Sequence, residues 1–283
     1  MPEADQNLFG VPEASYVRPL VYGLAGSPTG QKLLVDFPSQ LAVKLQQRTD
    51  SLQCAFLSPI DFARHGGDYL IVPGVGVSSS SRSETIQLFI NQGVRNVETI
   101  AVDIRVTSEI ILAKIILAEK FPNEPSVNKA LRFIAMLPNR DEMLRKADAA
   151  LVVNFHPHSQ GQDEPFSLDL VEEWNDLTGL PYVHGIWVGH DEDDPGNTVE
   201  ELSRSRDRGV ADLRTIARAL AAERDLTEKI AEEYLSKFSY SFSEQDQQGF
   251  TEFIQFAYFH GVLPDVPDLN FFEDVPPPSQ SVN

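Results

Sequence analysis

The chain has 283 residues, 42% of them hydrophobic and 23% charged, which suffices for two lobes or one large α/β domain with a sizeable core. Its formal net charge of −19 argues against nucleic acid, which needs a basic face for the phosphates, and against an anionic membrane surface. A small anionic ligand stays compatible, because helix N-termini and a few local donors hold one inside an acidic protein.

The N-terminal stretch MPEADQNLFGVPEAS has no apolar core of the signal-peptide kind, and no later run is long enough to span a bilayer; a cytoplasmic location is the expectation. Lys32–Phe37 is predicted as a strand, and Ser39 as the N-cap of a helix through about Gln47. Leu52–Leu57 is the next strand. It carries the single cysteine, Cys54, as a small buried residue. Ser58-Pro59 opens a helix through Arg64, with proline at its favoured first position. Tyr69–Val77 and Thr85–Ile90 are strands on either side of the serine-rich Ser78–Ser83, and Thr99–Asp103 is another. Thr107-Ser108 begins a helix through Lys120, Asp141–Lys146 is a short helix and Ala149–Val153 a strand.

Residues 169–189, DLVEEWNDLTGLPYVHGIWVG, carry the most information. Leu170, Trp174 and Leu177 share one helical face. Gly179 suits a left-handed C-cap, and Pro181 blocks continuation. Tyr182–Val188 then reads as a strand, with Gly185 at a close backbone approach. An acidic turn, Asp191–Asn197, follows. The chain is then predicted helical to about residue 261, including Thr198–Glu223 and Ser243–His260, before a frayed tail, Phe271–Asn283. The acidic C-terminal helices are a candidate homodimer face.

Alternating strands and helices indicate a mostly parallel α/β architecture. The order predicts two lobes: residues 1–88 with 186–283, and residues 89–185, with a ligand cleft between them. Hydroxyls gather at the strand-to-helix junctions, namely Ser39, Ser58, Ser83, Thr85, Thr107 and Ser108. There, side-chain oxygens, free backbone N–H groups and the helix dipole favour a carboxylate. Each serine taken alone is also an ordinary N-cap. His156-Pro157-His158 lacks the partners of a metal site, and His184 reads as an interior or cleft-facing residue on its strand. No metal site is expected from these residues.

Several segments resemble the chorismate dehydratase family of the futalosine route to menaquinone, and its sister that forms dihydroxynaphthoate. They are Ser15-Tyr16 with Pro19–Leu24, Phe37–Ala42, SPIDFARHGGDYLIVPGVGVSS at 58–79, Val102-Asp103 with Thr107-Ser108, DLVEEWNDLTGLPYVHGIW, and Gly249–Phe253 with Gly261–Leu263. The resemblance implies the fold of type II periplasmic binding proteins used as a cytoplasmic enzyme. It implies dehydration of chorismate to the enolpyruvyl ether of benzoate without a cofactor. It places Thr85, Thr107 and Ser108 as ligand anchors, and Tyr16, Arg18 and Asn154 at or beside pocket positions. The family asparagine of the first turn is missing; the chain reads Val17-Arg18 there, with Arg18 a candidate partner for a ligand carboxylate. Arg105-Val106-Thr107-Ser108 replaces the family Ser-Arg-Thr-Ser, and Asn154-Phe155 replaces Gly-Asp. The alternative to the lyase is a non-catalytic binder of a small aromatic carboxylate, or a relative with a shifted substrate.

Overall fold

A computed structural model of the chain describes residues 8–24, 32–49, 52–65, 69–94, 97–121, 131–154, 166–190 and 195–272. Its elements form two mixed five-stranded sheets. The first is built from β1 (Leu8–Val11), β2 (Lys32–Val35), β3 (Leu52–Leu57), β4 (Tyr69–Ser79) and β10 (Tyr182–His190), in the order β2-β1-β3-β10-β4. The second is built from β5 (Ile86–Ile90), β6 (Thr99–Val102), β7 (Arg132–Ala135), β8 (Ala149–Val153) and β9 (Ser167–Asp169), in the order β7-β6-β8-β5-β9.

In each sheet the early strands run parallel and the strand nearest the crossing runs against them. β1 is parallel to β2 and β3, while β10 is antiparallel to β3 and β4. β6 is parallel to β7 and β8, while β5 is antiparallel to β8 and β9. β5 lies wholly in the second sheet and β10 wholly in the first. The chain therefore changes sheet between Ser79 and Ile86, and again between Asp169 and Tyr182.

The helices of the first part are α1 (Arg18–Val21), α2 (Pro38–Gln46) and α3 (Pro59–His65), with a 3-10 turn at Ser15–Val17. The second sheet carries α4 (Ser108–Lys120) and α5 (Arg140–Lys146), and α6 (Leu170–Thr178) leads back. Asp169 caps α6 by accepting from the backbone N–H groups of Val171 and Glu172, and Gly179 ends it in the left-handed conformation at φ 71°. The same Asp169 carboxylate accepts from the Glu84 N–H at 2.6 Å and the Gln87 amide at 2.7 Å, which joins the two crossings. Gly185 permits the contact of β10 with β3: a Cβ there would stand 2.3 Å from Phe56 Cε1.

The remaining helices are α7 (Pro195–Ala211), α8 (Leu213–Arg224), α9 (Glu228–Leu235) and α10 (Glu244–Phe259). The helix expected over 198–223 is thus two helices. Asp212 leaves helical geometry at φ −102° and ψ 22°, in keeping with the preference of aspartate for helix ends over interiors. Residues 236–243 are not helical either. Phe238, Tyr240 and Phe242 are buried while Ser239 and Ser241 between them are exposed, the period-two pattern of extended chain, and Ser239 bridges to Ser78. The start of the expected frayed tail is ordered: Phe271 bridges to Ile71 and Phe272 is buried. The tail beyond Phe272, Asp191–Asp194 and His156-Pro157-His158 lie outside the described residues.

Apolar side chains pack both faces of the first sheet. On one, Leu41, Phe62, Trp174, Ile186 and Phe253 continue into Leu88 and Ile100 of the second sheet and Ile116 of α4. On the other, Phe9, Trp187, Leu202, Ile216 and Leu220 seal the C-terminal helices against the strands. Trp187 meets Phe9 and Phe56 edge-on at 5.9 and 5.8 Å, and Cys54 is buried beside them as expected. Among the described residues no helix is long and apolar enough to cross a membrane.

Candidate functional site

The C-terminal ends of β1, β3, β6 and β8 feed the 3-10 turn, α3, α4 and Asn154. This is the edge at which open α/β sheets take ligands. The heads of α3 and α4 meet there. Ser58 caps α3 by accepting from the Asp61 N–H at 3.4 Å, and its hydroxyl donates to the Asp61 carboxylate at 2.5 Å. The Ser108 hydroxyl donates to Ser58 Oγ at 2.8 Å and accepts from the Ile60 N–H at 3.0 Å. Ser58 and Ser108, both expected to face a ligand, bond each other. Thr107 also bonds Asp61. Burial pushes the Asp61 carboxyl up, against the hydrogen bonds from Ser58 and Thr107 and the charges of Arg64 and His65.

Glu109 follows in the first turn of α4, 8% exposed. Burial pushes its carboxyl up to about 7, with a further push from Asp61, opposed by a hydrogen bond from its own backbone N–H. The helix dipole favours an anion at this place, and desolvation outweighs it.

Beside these heads stands an aromatic box. His184 lies 5.0 Å from Tyr16, 5.1 Å from Tyr182 and 5.3 Å from Phe238, ring to ring. Tyr16 also stacks on Phe238 at 5.4 Å. Ser79 Oγ lies 3.2 Å from His184 Nε2, and burial lowers the imidazole to about 3, so the ring is neutral. Burial raises both tyrosines, Tyr16 and Tyr182, well above the ordinary phenol range, and the charge of Glu109 raises each further. Among the described residues Ser15 Oγ, the Tyr182 hydroxyl and His184 Nδ1 are buried without a hydrogen-bond partner. Such atoms are costly in a finished core and expected where a ligand completes the site.

Thr85 joins the box through Tyr234: the two hydroxyls are 3.1 Å apart, and Tyr234 packs on Phe238 at 5.1 Å. The Thr85 N–H donates to Ser83 Oγ at 3.3 Å. Thr85, Ser83, Tyr16 and His184 are therefore brought together, with Thr107, Ser108 and Ser58 at the neighbouring helix heads.

Among the described residues, Ser39, Arg18 and Asn154 make none of these contacts. Phe37, not Ser39, holds the cap position of α2; Pro38 starts the helix, and Ser39 makes no cap bond in its first turn. The Arg18 guanidinium pairs with Glu223 of α8 at 2.5 Å. Asn154 sits at the end of β8 at φ 57°, a left-handed conformation that asparagine tolerates, with a buried Oδ1 unpartnered among the described residues. Arg105 is held twice, by Asp103 at 2.6 Å and over the Phe37 ring at 4.5 Å.

Sequence reasoning passed over Glu109, Asp61, Tyr182, Tyr234 and Phe238. Two signals were present: the Ser-x-x-Asp helix start at 58–61, and the alternation of serine with aromatics over 238–243. Among the described residues no group of three or more His, Cys, Asp or Glu is placed to hold a metal ion.

Two mixed sheets joined by two crossings, with polar and aromatic groups at the strand ends between them, define the two-lobe α/β fold of periplasmic binding proteins. Protein AF1704 from Archaeoglobus fulgidus superposes with a TM-score of 0.69 at 15% identity, over 92% of this chain and 100% of that one. The periplasmic aliphatic sulphonate binding protein SsuA from Escherichia coli superposes at 0.62 with 14% identity, over 94% and 96%. The chain belongs to the menaquinone biosynthesis family, whose model matches residues 11–259. It is 23% identical over 259 residues to the chorismate dehydratase of Thermus thermophilus, covering 88% of this chain and 94% of that protein.

Proposed function

We propose that the protein is a carbon–oxygen lyase acting on chorismate or a close relative. It removes the ring proton beside the ether and the neighbouring hydroxyl as water, leaving the enolpyruvyl ether of benzoate. Formation of the aromatic ring drives the reaction, and the elimination is redox-neutral. The protein's share is positioning and electrostatics. The observation that carries this reading is the box of Tyr16, Tyr182, His184 and Phe238, buried and lined with unpartnered polar atoms. Its rings suit a flat cyclohexadiene becoming a benzene. Thr85, backed by Tyr234, and Thr107 at the head of α4 are the donors proposed for the two carboxylates. The full-length likeness to a chorismate dehydratase supports the same reaction.

In this reading the lobes meet at the crossings, 80–85 and 170–181, a few residues before the boundaries expected at 88 and 185. A cytoplasmic location goes with a biosynthetic role.

Purified protein incubated with chorismate tests this. The expected result is loss of the diene absorbance with appearance of an aromatic ether. Binding by calorimetry without that loss would turn the reading to a carboxylate binder. Absence of both binding and loss would overturn it.

A further inference from the structure

The head of α4 is the place where a ligand carboxylate was expected, and a carboxyl of the chain itself already stands there. Glu109 lies in the first turn, 8% exposed, and its own backbone N–H donates to its side chain. The groups that face it are Asp61 of α3, Tyr16 of the 3-10 turn and Tyr182 of β10. None of the three is a cation. The cations and histidines on the adjoining turns are engaged elsewhere: Arg64 and His65 act on Asp61, and Arg105 is held by Asp103. An anion entering beside an ionised Glu109 meets a second buried negative charge with nothing to offset it.

We infer that Glu109 sets the charge this site accepts, admitting a ligand carboxylate at the head of α4 only when its own carboxyl carries a proton. In that form the carboxyl donates a hydrogen bond to the ligand; ionised, it repels an anion and suits an uncharged or cationic one. The inference rests on the anionic ligand proposed above. A titration close to neutrality follows from the burial of the group.

The test is calorimetric titration with chorismate at about pH 6 and pH 8, in two buffers of different ionisation enthalpy. For a group titrating near 7, affinity should be about tenfold weaker at the higher pH, with uptake of close to one proton there. Glu109→Gln, neutral and nearly isosteric, should bind equally well at both pH values with no proton uptake. Equal affinity at both pH values in the unaltered protein, or a pH dependence kept in Glu109→Gln, would overturn the inference. Failure of both proteins to bind chorismate at pH 6 would overturn the proposed function instead. The charge of Glu109 is then read without ligand, by following its carboxyl carbon by NMR across neutrality. Titration near an ordinary carboxylate value would overturn the inference on its own.

Discussion

The Ser108 hydroxyl donates to Ser58 Oγ over 2.8 Å and accepts from the Ile60 N–H, which fastens the head of α4, following a strand of the second sheet, to the head of α3, following a strand of the first. Ser108→Ala removes both bonds and leaves the buried Ile60 N–H without its acceptor. The expected cost is about 1–3 kcal/mol, the range for orphaning a buried polar group. Urea denaturation measures it; an unmoved midpoint would show that the two heads do not depend on these bonds.

Gly185 is where β10 passes closest to β3. An added Cβ stands 2.3 Å from Phe56 Cε1 and 2.8 Å from the Leu57 carbonyl oxygen, and Phe56 is itself fixed against Trp187. Gly185→Ala should cost at least 1–3 kcal/mol, roughly the toll of overpacking a finished core. Gly179→Ala is the control: there the space is open, and only the positive φ of 71° penalises a side chain, by about 1 kcal/mol. Thermal midpoints of the two variants should fall in that order.

Arg18 occupies the turn where the resembling family has an asparagine, yet its guanidinium faces Glu223 and holds that carboxyl below its usual range. The pair is well exposed to solvent. Arg18→Ala should therefore shift stability by less than about 1 kcal/mol. It should also leave chorismate affinity within about twofold, a change of less than ~0.5 kcal/mol. A tenfold loss of affinity would put Arg18 back at the ligand.

Tyr234 has its hydroxyl 3.1 Å from that of Thr85, so it orients a proposed donor without being one. Tyr234→Phe keeps the ring against Phe238 and frees the threonine. The expected result is a fall in kcat/KM for chorismate of about tenfold, the size of one lost hydrogen bond, with little change in melting temperature. An unchanged kcat/KM would mean that Thr85 needs no orientation or does not touch the substrate.

Much of the scaffold was legible because its signals are local. Asp169, Gly179 and Pro181 punctuate α6 and β10 within a dozen residues, and the long apolar strands β3 and β4 announce themselves. β1, β7 and β9 were not anticipated, since they run only three or four residues and β7 is largely uncovered, leaving no period to read. The site was half legible. Hydroxyls at strand ends are visible in a sequence, but whether Ser58 meets a ligand or Ser108 depends on how two helices from different sheets approach. Tyr234, nearly 150 positions from Thr85, reaches it only through the fold. In the sequence Glu109 is an ordinary first-turn acid, a favourable choice at an exposed helix start; tertiary burial alone changes its character.

Glu109 and His184 should act on stability in opposite senses. The Glu109 carboxyl rises from 4.5 to about 7 on folding, so over that interval the folded chain holds a proton that the unfolded chain has lost, and stability falls as pH rises. The His184 imidazole drops from 6.5 to about 3, so between those values the unfolded chain holds the extra proton, and stability falls as pH falls. From about pH 4.5 to 6.5 the two slopes cancel, one proton each way. Glu109→Gln should expose the histidine, giving a protein whose stability climbs with pH through this window. His184→Gln should expose the glutamate and give the reverse, with a swing on the order of 3 kcal/mol at most in either case. Chemical denaturation at several pH values reads both slopes. Variants that track the unaltered protein throughout would mean that neither group is held in the neutral form the burial dictates.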